Sequence, residues 1–135
     1  MVLYVVTPER EVVNVDIDSV ILPGESGQLE ILPEHTHLLS VLSPGVVLYK
    51  DSHSKKDKAV SIGGGISEIR DNLVRIVVTI AENSDEIDVE RAKKAVQKAE
   101  NLLLQEDVIA NEKEFAKVES ALKRALARLE AAKYQ

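Results

Sequence analysis

The side chains with the most chemistry to offer are four cations near the C-terminal end. Arg124 and Arg128 are spaced i, i+4, so a helix carries both on one face. Arg91 and Lys98 are seven apart, two turns along one face of an earlier helix. If the two helices pair antiparallel, Arg91 comes near Arg128, and Lys98 near Arg124. Clustered cations of this kind attract an anion, either carboxylate or phosphate. On spacing alone a solvated charged face is the simpler arrangement.

Three other motifs invite chemistry and lose it on inspection. Gly63-Gly64-Gly65 is glycine-rich, but a strand pattern rather than a helix follows it, and no lysine is near. A phosphate loop needs that helix start, so a bulge or a close backbone approach is expected. Gly24-Glu25-Ser26-Gly27 is one residue short of a nucleophile elbow and reads as a turn. Glu34-His35-Thr36-His37 has ligand-type side chains, yet zinc needs three or four placed ligands. The loop after Pro33 is better suited to partner contact. No spaced carboxylate pair stands out as an acid and base couple. No metal site and no catalytic constellation are expected.

Two structural units must position these residues. The hinge between them is Asn83 to Ala92. Before it lie all six glycines and all four prolines, with apolar residues tending to alternate; after it comes helical spacing. The expected units are residues 1–84 and 85–135. The first contains nine short β-rich runs, from Leu3–Thr7 to Leu73–Ala81. Such runs between turn signals predict an antiparallel β-sandwich. Asp71-Asn72 suits a two-residue hairpin turn.

The second unit predicts two helices that form an antiparallel hairpin, giving an α+β fold. Val89, Ala92, Val96, Ala99 and Leu103 make one seam, and Phe115, Val118, Leu122, Ala125, Leu129 and Ala132 the other. Asp88 caps the first helix. Asn111, with Glu114 three residues on, caps the second. Glu90/Lys94 and Glu119/Lys123 are spaced for ion pairs. The seams are rich in alanine, which buries little area, so the hairpin must fold on itself, dock on the β unit or take another helix. Alternatives close in energy are what a switch requires.

Composition narrows the function. The formal net charge is -6 and aromatics make up 3% of 135 residues, which argues against a nucleic-acid binder. There is no cysteine, hence no disulfide or thiol chemistry. The apolar runs are too short to span a bilayer, and the first residues do not read as a signal peptide.

The runs Val6-Thr7-Pro8, Gly27 to His35, Leu38-Leu39, Gly64-Gly65-Ile66 and Ile87-Asp88-Val89-Glu90-Arg91-Ala92 appear in that order. Their order across nearly the whole chain resembles the epsilon subunit of F-type ATP synthase. The resemblance implies a non-catalytic rotor subunit with no required cofactor. Its implied partners are the gamma subunit, the c-ring and the catalytic alpha and beta subunits. It implies a peripheral place on the cytoplasmic face of a bacterial inner membrane, or the stromal face of a thylakoid. It implies a tail that inhibits ATP hydrolysis when extended, and ring contact through Gln28, Glu30, Glu34 and His35.

Some members of the family bind ATP as a regulatory ligand on the folded-back tail. The matching positions are Glu82, Ile87, Asp88, Arg91, Arg124 and Arg128, with Lys98 where the pattern has arginine. Lysine keeps the charge and loses the bidentate fork. Glu30 and His37 also depart from the usual glycine and proline. The alternative, from a different class, is a free-standing small-ligand sensor with a helical lid.

Overall fold

The computed structural model describes residues 1–135. Seven strands come first: β1 (Val2–Val6), β2 (Glu11–Gly24), β3 (Gly27–Ile31), β4 (Leu38–Asp51), β5 (Asp57–Arg70), β6 (Leu73–Val78) and β7 (Ala81–Asn83). A single 3-10 turn, Ser84–Glu86, leads to α1 (Val89–Leu103), the short α2 (Glu106–Ile109) and α3 (Glu112–Ala132). The fold is α+β, a β-sandwich followed by a helical hairpin.

The sheet runs β1-β6-β5-β4-β2-β3, and β1 also pairs with β2, so the layers close on one another as in a barrel. Alternation puts one face of each strand inside. In β6, Val74, Ile76 and Val78 are buried while Arg75 and Val77 point outward. Leu3, Val5, Ile17, Val20, Leu22 and Ile31 fill the same core. Each such side chain contributes about 1.5–3 kcal/mol by leaving water.

Three expectations are corrected. Nine short runs become seven strands, because Val12–Val15 and Ser19–Leu22 fuse into β2, Leu38–Leu42 and Val46–Lys50 into β4, and Ala59–Ile62 and Ile66–Arg70 into β5, while Leu73–Ala81 divides between β6 and β7. The turn signals inside them mark corners rather than ends. Pro44 pairs with Gly63 and Leu42 with Gly65 in one unbroken register. At that point β5 exchanges β7 for β6 as its other neighbour. Gly64 has φ +94°, and a Cβ on Gly65 would stand 2.4 Å from the Val77 carbonyl oxygen, so the corner requires glycine. Secondly, β1 and β6 pair in parallel, while every other pair is antiparallel. The long stretch of chain between them makes a parallel return available. Thirdly, Glu90 pairs with Lys93 at 3.6 Å rather than with Lys94, whereas Glu119 and Lys123 pair as expected at 3.8 Å.

The local signals hold. Asp71 and Asn72 have φ of 51° and 61°, the two positive values a type I′ turn needs, between paired Arg70 and Leu73. The Asp88 carboxylate accepts the Arg91 N–H at 3.1 Å. The Asn111 side chain accepts the N–H groups of Lys113 and Glu114.

The hairpin both folds on itself and docks. α1 packs on α3, and α3 lies on β4 and β5. α3 therefore needs two apolar faces where the seam reading supplied one. Val118, with half-buried Leu122, joins Ala99 and Val108 inside the hairpin. On the docked side Ala131, not Ala132, is the fully buried residue, against Ala59 and Ile87. Ala127, also buried, lines the cleft against Pro44 and Gly45. No helix is long and apolar enough to cross a membrane.

Candidate functional site: the junction of sandwich and tail

The junction is built where β7, the hinge and the last turns of α3 converge. Glu82 lies on β7, opposite Ser61 of β5. It meets α3 through Arg128, whose Nε donates to its carboxylate at 2.9 Å. The two side chains are 30% and 23% exposed, so the pair is shielded from water but not sealed. Arg124, one turn earlier, passes over Gly63; a Cβ there would lie 3.4 Å from Arg124 Cδ. Its guanidinium donates to the Ser120 hydroxyl at 3.3 Å and has no carboxylate partner. Arg124 thus packs over the strand at Gly63.

Ile87 is buried in the cluster with Ala59 and Ala131 and acts as the apolar anchor of the hinge. Asp88 is exposed, with its carboxylate committed to capping α1. Arg91 and Lys98 are exposed on α1 and form no ion pair. Sequence spacing brings Arg91 near Arg128 but does not anticipate that Arg128 pairs with Glu82. A carboxylate 46 positions away offers no local spacing signal. Arg91, Lys98 and Arg124 have no carboxylate partner, and Arg128 is neutralised by Glu82; the unpaired cations can still attract an anion.

Sequence reasoning missed residues that fix the hinge itself. Arg10, from the turn between β1 and β2, donates to Glu86 at 3.1 Å. The same carboxylate accepts from both the backbone and the side-chain nitrogen of Asn83. Desolvation raises the Glu86 pKa, but the hydrogen bonds from Arg10 and Asn83 outweigh it and hold the group below its ordinary value. Gln135 reaches the hinge from the other side, donating to the Ser84 and Ile87 carbonyls. Asn83–Glu86 carries a capping-box spacing, but nothing in the sequence points to Arg10 or Gln135.

The other group of expected contact residues is dispersed. Gln28 and Glu30 are exposed on β3, and Gln28 opens toward α3, in a cleft shared with Lys123 and Leu126. Glu34 and His35 lie beyond the opposite end of β3. The Glu34 N–H, at φ 64°, donates to the Asn72 side chain at 2.9 Å, and His37 stands 3.7 Å from Asp71. His35 Nδ1 lies 2.7 Å from the Thr36 carbonyl, which accepts a hydrogen bond from the Nδ1–H tautomer. The loop is therefore tied to the type I′ turn, and its two histidines do not converge on a third ligand.

A third surface is apolar. Val41 pairs with Ile66, Ile66 with Val77 and Val77 with Val6, so the four make one row across β4, β5, β6 and β1. Val41, Ile66 and Val77 are 55%, 50% and 48% exposed, and Leu39 lies two residues along the same face. A cleft of about 670 Å³ runs beside the row, from Pro8 to Ser120 of α3.

Comparison with known proteins matches this organisation. Residues 1–84 match the model of the ATP synthase delta/epsilon chain β-sandwich domain, and residues 85–133 that of its long alpha-helix domain. The ATP synthase epsilon chain of Nitratidesulfovibrio vulgaris is 38% identical over 94% of this chain and 91% of its own length. That of Bacillus pumilus is 41% identical over 95% and 93%. A chain in the Euglena gracilis mitochondrial ATP synthase shares the fold with a TM-score of 0.80 at 22% identity, covering 98% of this chain and 80% of its own. With both halves matched in order, the chain belongs to the delta/epsilon chain family of ATP synthase and resembles its bacterial epsilon chains.

Proposed function

We propose that the chain is a non-catalytic rotor subunit that joins the central stalk to the c-ring and inhibits ATP hydrolysis through its helical tail. The observation that carries this reading is the docking of α3. The tail is held by alanines, the anchoring Ile87, half-buried Val46, Leu48 and Tyr134, two hydrogen bonds from Gln135 and one partly shielded ion pair, in a cluster separate from the sandwich core. An interface of that size can open without unfolding the sandwich. The Euglena structure belongs to an assembly with a c-ring, and a Tetrahymena thermophila neighbour to a central stalk with its c-ring. On this reading the exposed row of Val41, Ile66 and Val77 meets the gamma subunit. Gln28, Glu30, Glu34 and His35 face the ring, and the extended tail reaches the catalytic alpha and beta subunits. The chain then sits at the membrane surface through its complex.

ATP is the regulatory ligand of the folded-back state on this reading. Glu82, Ile87 and Asp88 frame the hinge, while Arg91, Lys98, Arg124 and Arg128 face the phosphates. Because Glu82 already neutralises Arg128, a phosphate has to share that arginine. Lys98 supplies a point charge in place of a fork.

The experiment is hydrolysis by the reconstituted complex containing a chain with Ala59→Cys and Ala131→Cys. Oxidation that joins these two contacting positions holds the tail down, and hydrolysis should rise to the level of a complex truncated after Ser84. Reduction should restore inhibition. Equal rates in oxidised and reduced complexes would refute the inhibitory tail. For the ligand, Arg91→Ala or Arg124→Ala should weaken ATP binding by about 1.5–3 kcal/mol in calorimetry. Equal affinity in parent and variants would exclude the site.

A further inference from the structure

The hinge carries two backbone carbonyls that its own geometry leaves poorly served. Asp88 caps α1 by accepting the Arg91 N–H on its side chain, so the Ile87 carbonyl receives no backbone donor. The Ser84 carbonyl receives only the Ile87 N–H at 3.3 Å, where the 3-10 turn closes. Both are met by one group. Gln135 Nε2 stands 2.8 Å from Ser84 O and 2.9 Å from Ile87 O, using one amide proton for each. Tyr134, the residue before it, packs half-buried against the cluster of Ala59, Ile87 and Ala131.

We propose that Gln135 is a positioning residue of the hinge, a clamp that makes hinge geometry and tail docking a single event. It deepens, and rests on, the reading of α3 as a detachable tail. The opposite side of the hinge is held by Arg10 on Glu86, and that contact stays with the sandwich when α3 leaves. Only the Gln135 bonds and the Arg128–Glu82 pair connect the departing helix to the hinge strand and turn through polar groups. The two latches differ in kind. The ion pair weakens as salt rises. The amide clamp is uncharged and does not. The folded-back state therefore persists at high ionic strength, with Ser84–Ile87 fixed and Glu82 and Asp88 held at their two flanks, whether or not an anion is bound.

Amide hydrogen exchange on the full chain, without nucleotide, tests this at low and high salt. Gln135→Leu, which removes the donors, should accelerate exchange at Ile87 and Tyr134 about tenfold at both salt concentrations. Gln135→Glu, which keeps the length and offers only acceptors to two carbonyls, should accelerate it further. Arg128→Ala should abolish the salt dependence that both Gln135 variants retain. Exchange at Val60 and Ile76 in the sandwich should not change. Unchanged exchange at Ile87, or equal acceleration at Val60 and Ile76, would overturn the clamp. No nucleotide or partner enters the measurement, so failure of the inhibitory reading in the reconstituted complex would be seen separately.

Discussion

The sandwich and the helical tail solve the same problem with different materials. The sandwich closes its sheet around sixteen buried apolar residues, among them Leu3, Ile17, Leu22, Ile31, Ile62 and Ile76. The tail rests on the sandwich through a cluster with three buried members, Ala59, Ile87 and Ala131, and its internal cluster is no larger. Burial scales with apolar area, so the sandwich is committed to one structure and the tail is held at a margin that a few contacts decide. Polar latches at the junction carry weight because the apolar contribution there is small.

Substitutions in the two regions should therefore separate. The largest effect is expected in the sandwich. Ile76→Ala should lower its unfolding free energy by about 2–5 kcal/mol in a denaturant titration. A loss as small as that of a surface substitution would remove the contrast between the regions. Next comes the junction. Arg128→Ala should weaken docking by about 1–2 kcal/mol, the lower part of the range for charged hydrogen bonds because water reaches the pair. The sandwich midpoint should stay unchanged; a fall in both would mean that tail and sandwich are one cooperative body. Smaller still, Asn111→Ala should remove the α3 cap and cost about 1 kcal/mol of helix stability, read as faster exchange at Lys113 and Glu114.

The last effect is read in the pH dependence of stability. Asp51, at the end of β4, accepts the N–H groups of Ser54 and His53 and the ammonium of Lys58. The backbone bonds from Ser54 and His53 lead the causes that bring its pKa from 3.8 to about 2. The folded value is depressed, so its stabilisation is present above the ordinary value and lost as pH falls toward about 2. Asp51→Asn should flatten the acid limb of sandwich stability between about pH 4 and pH 2, with no change in tail docking across that range. An unchanged acid limb would assign the loss to other carboxylates. Asp18 works in the same sense, held low first by Lys55 and then by Ser52.

What the sequence shows and what it conceals follow from range. Asp88 and Asn111 as caps, the Asp71-Asn72 turn and the two long helices are specified within four residues of themselves, and each is visible in the chain. The fusion of β4 and β5 across Pro44 and Gly63–Gly65 is not, because a glycine that ends a strand and one that turns a corner look alike until the partner strand is known. The parallel pairing of β1 with β6 is equally nonlocal. At the junction the spacing of the four cations on the faces of two helices is legible. Their carboxylate, Glu82, and the hinge ties from Arg10 and Gln135 are not, since each joins positions far apart in the chain. The docked face of α3 is hidden for another reason: Ala127 and Ala131 make a second stripe that the stronger seam of Val118, Leu122 and Ala125 obscures.

On the proposed reading the tail is a detachable body on a fixed one. The most direct measurement is the distance distribution between a label on the exposed face of the sandwich, at Arg75, and one on α3, at Leu126. It should be taken on the chain alone, with ATP, and in complex with the stalk. One short distance is expected in the isolated chain, retained with ATP, and a second, longer distance should gain population in the complex without nucleotide. A single unchanging distance in all three conditions would contradict it.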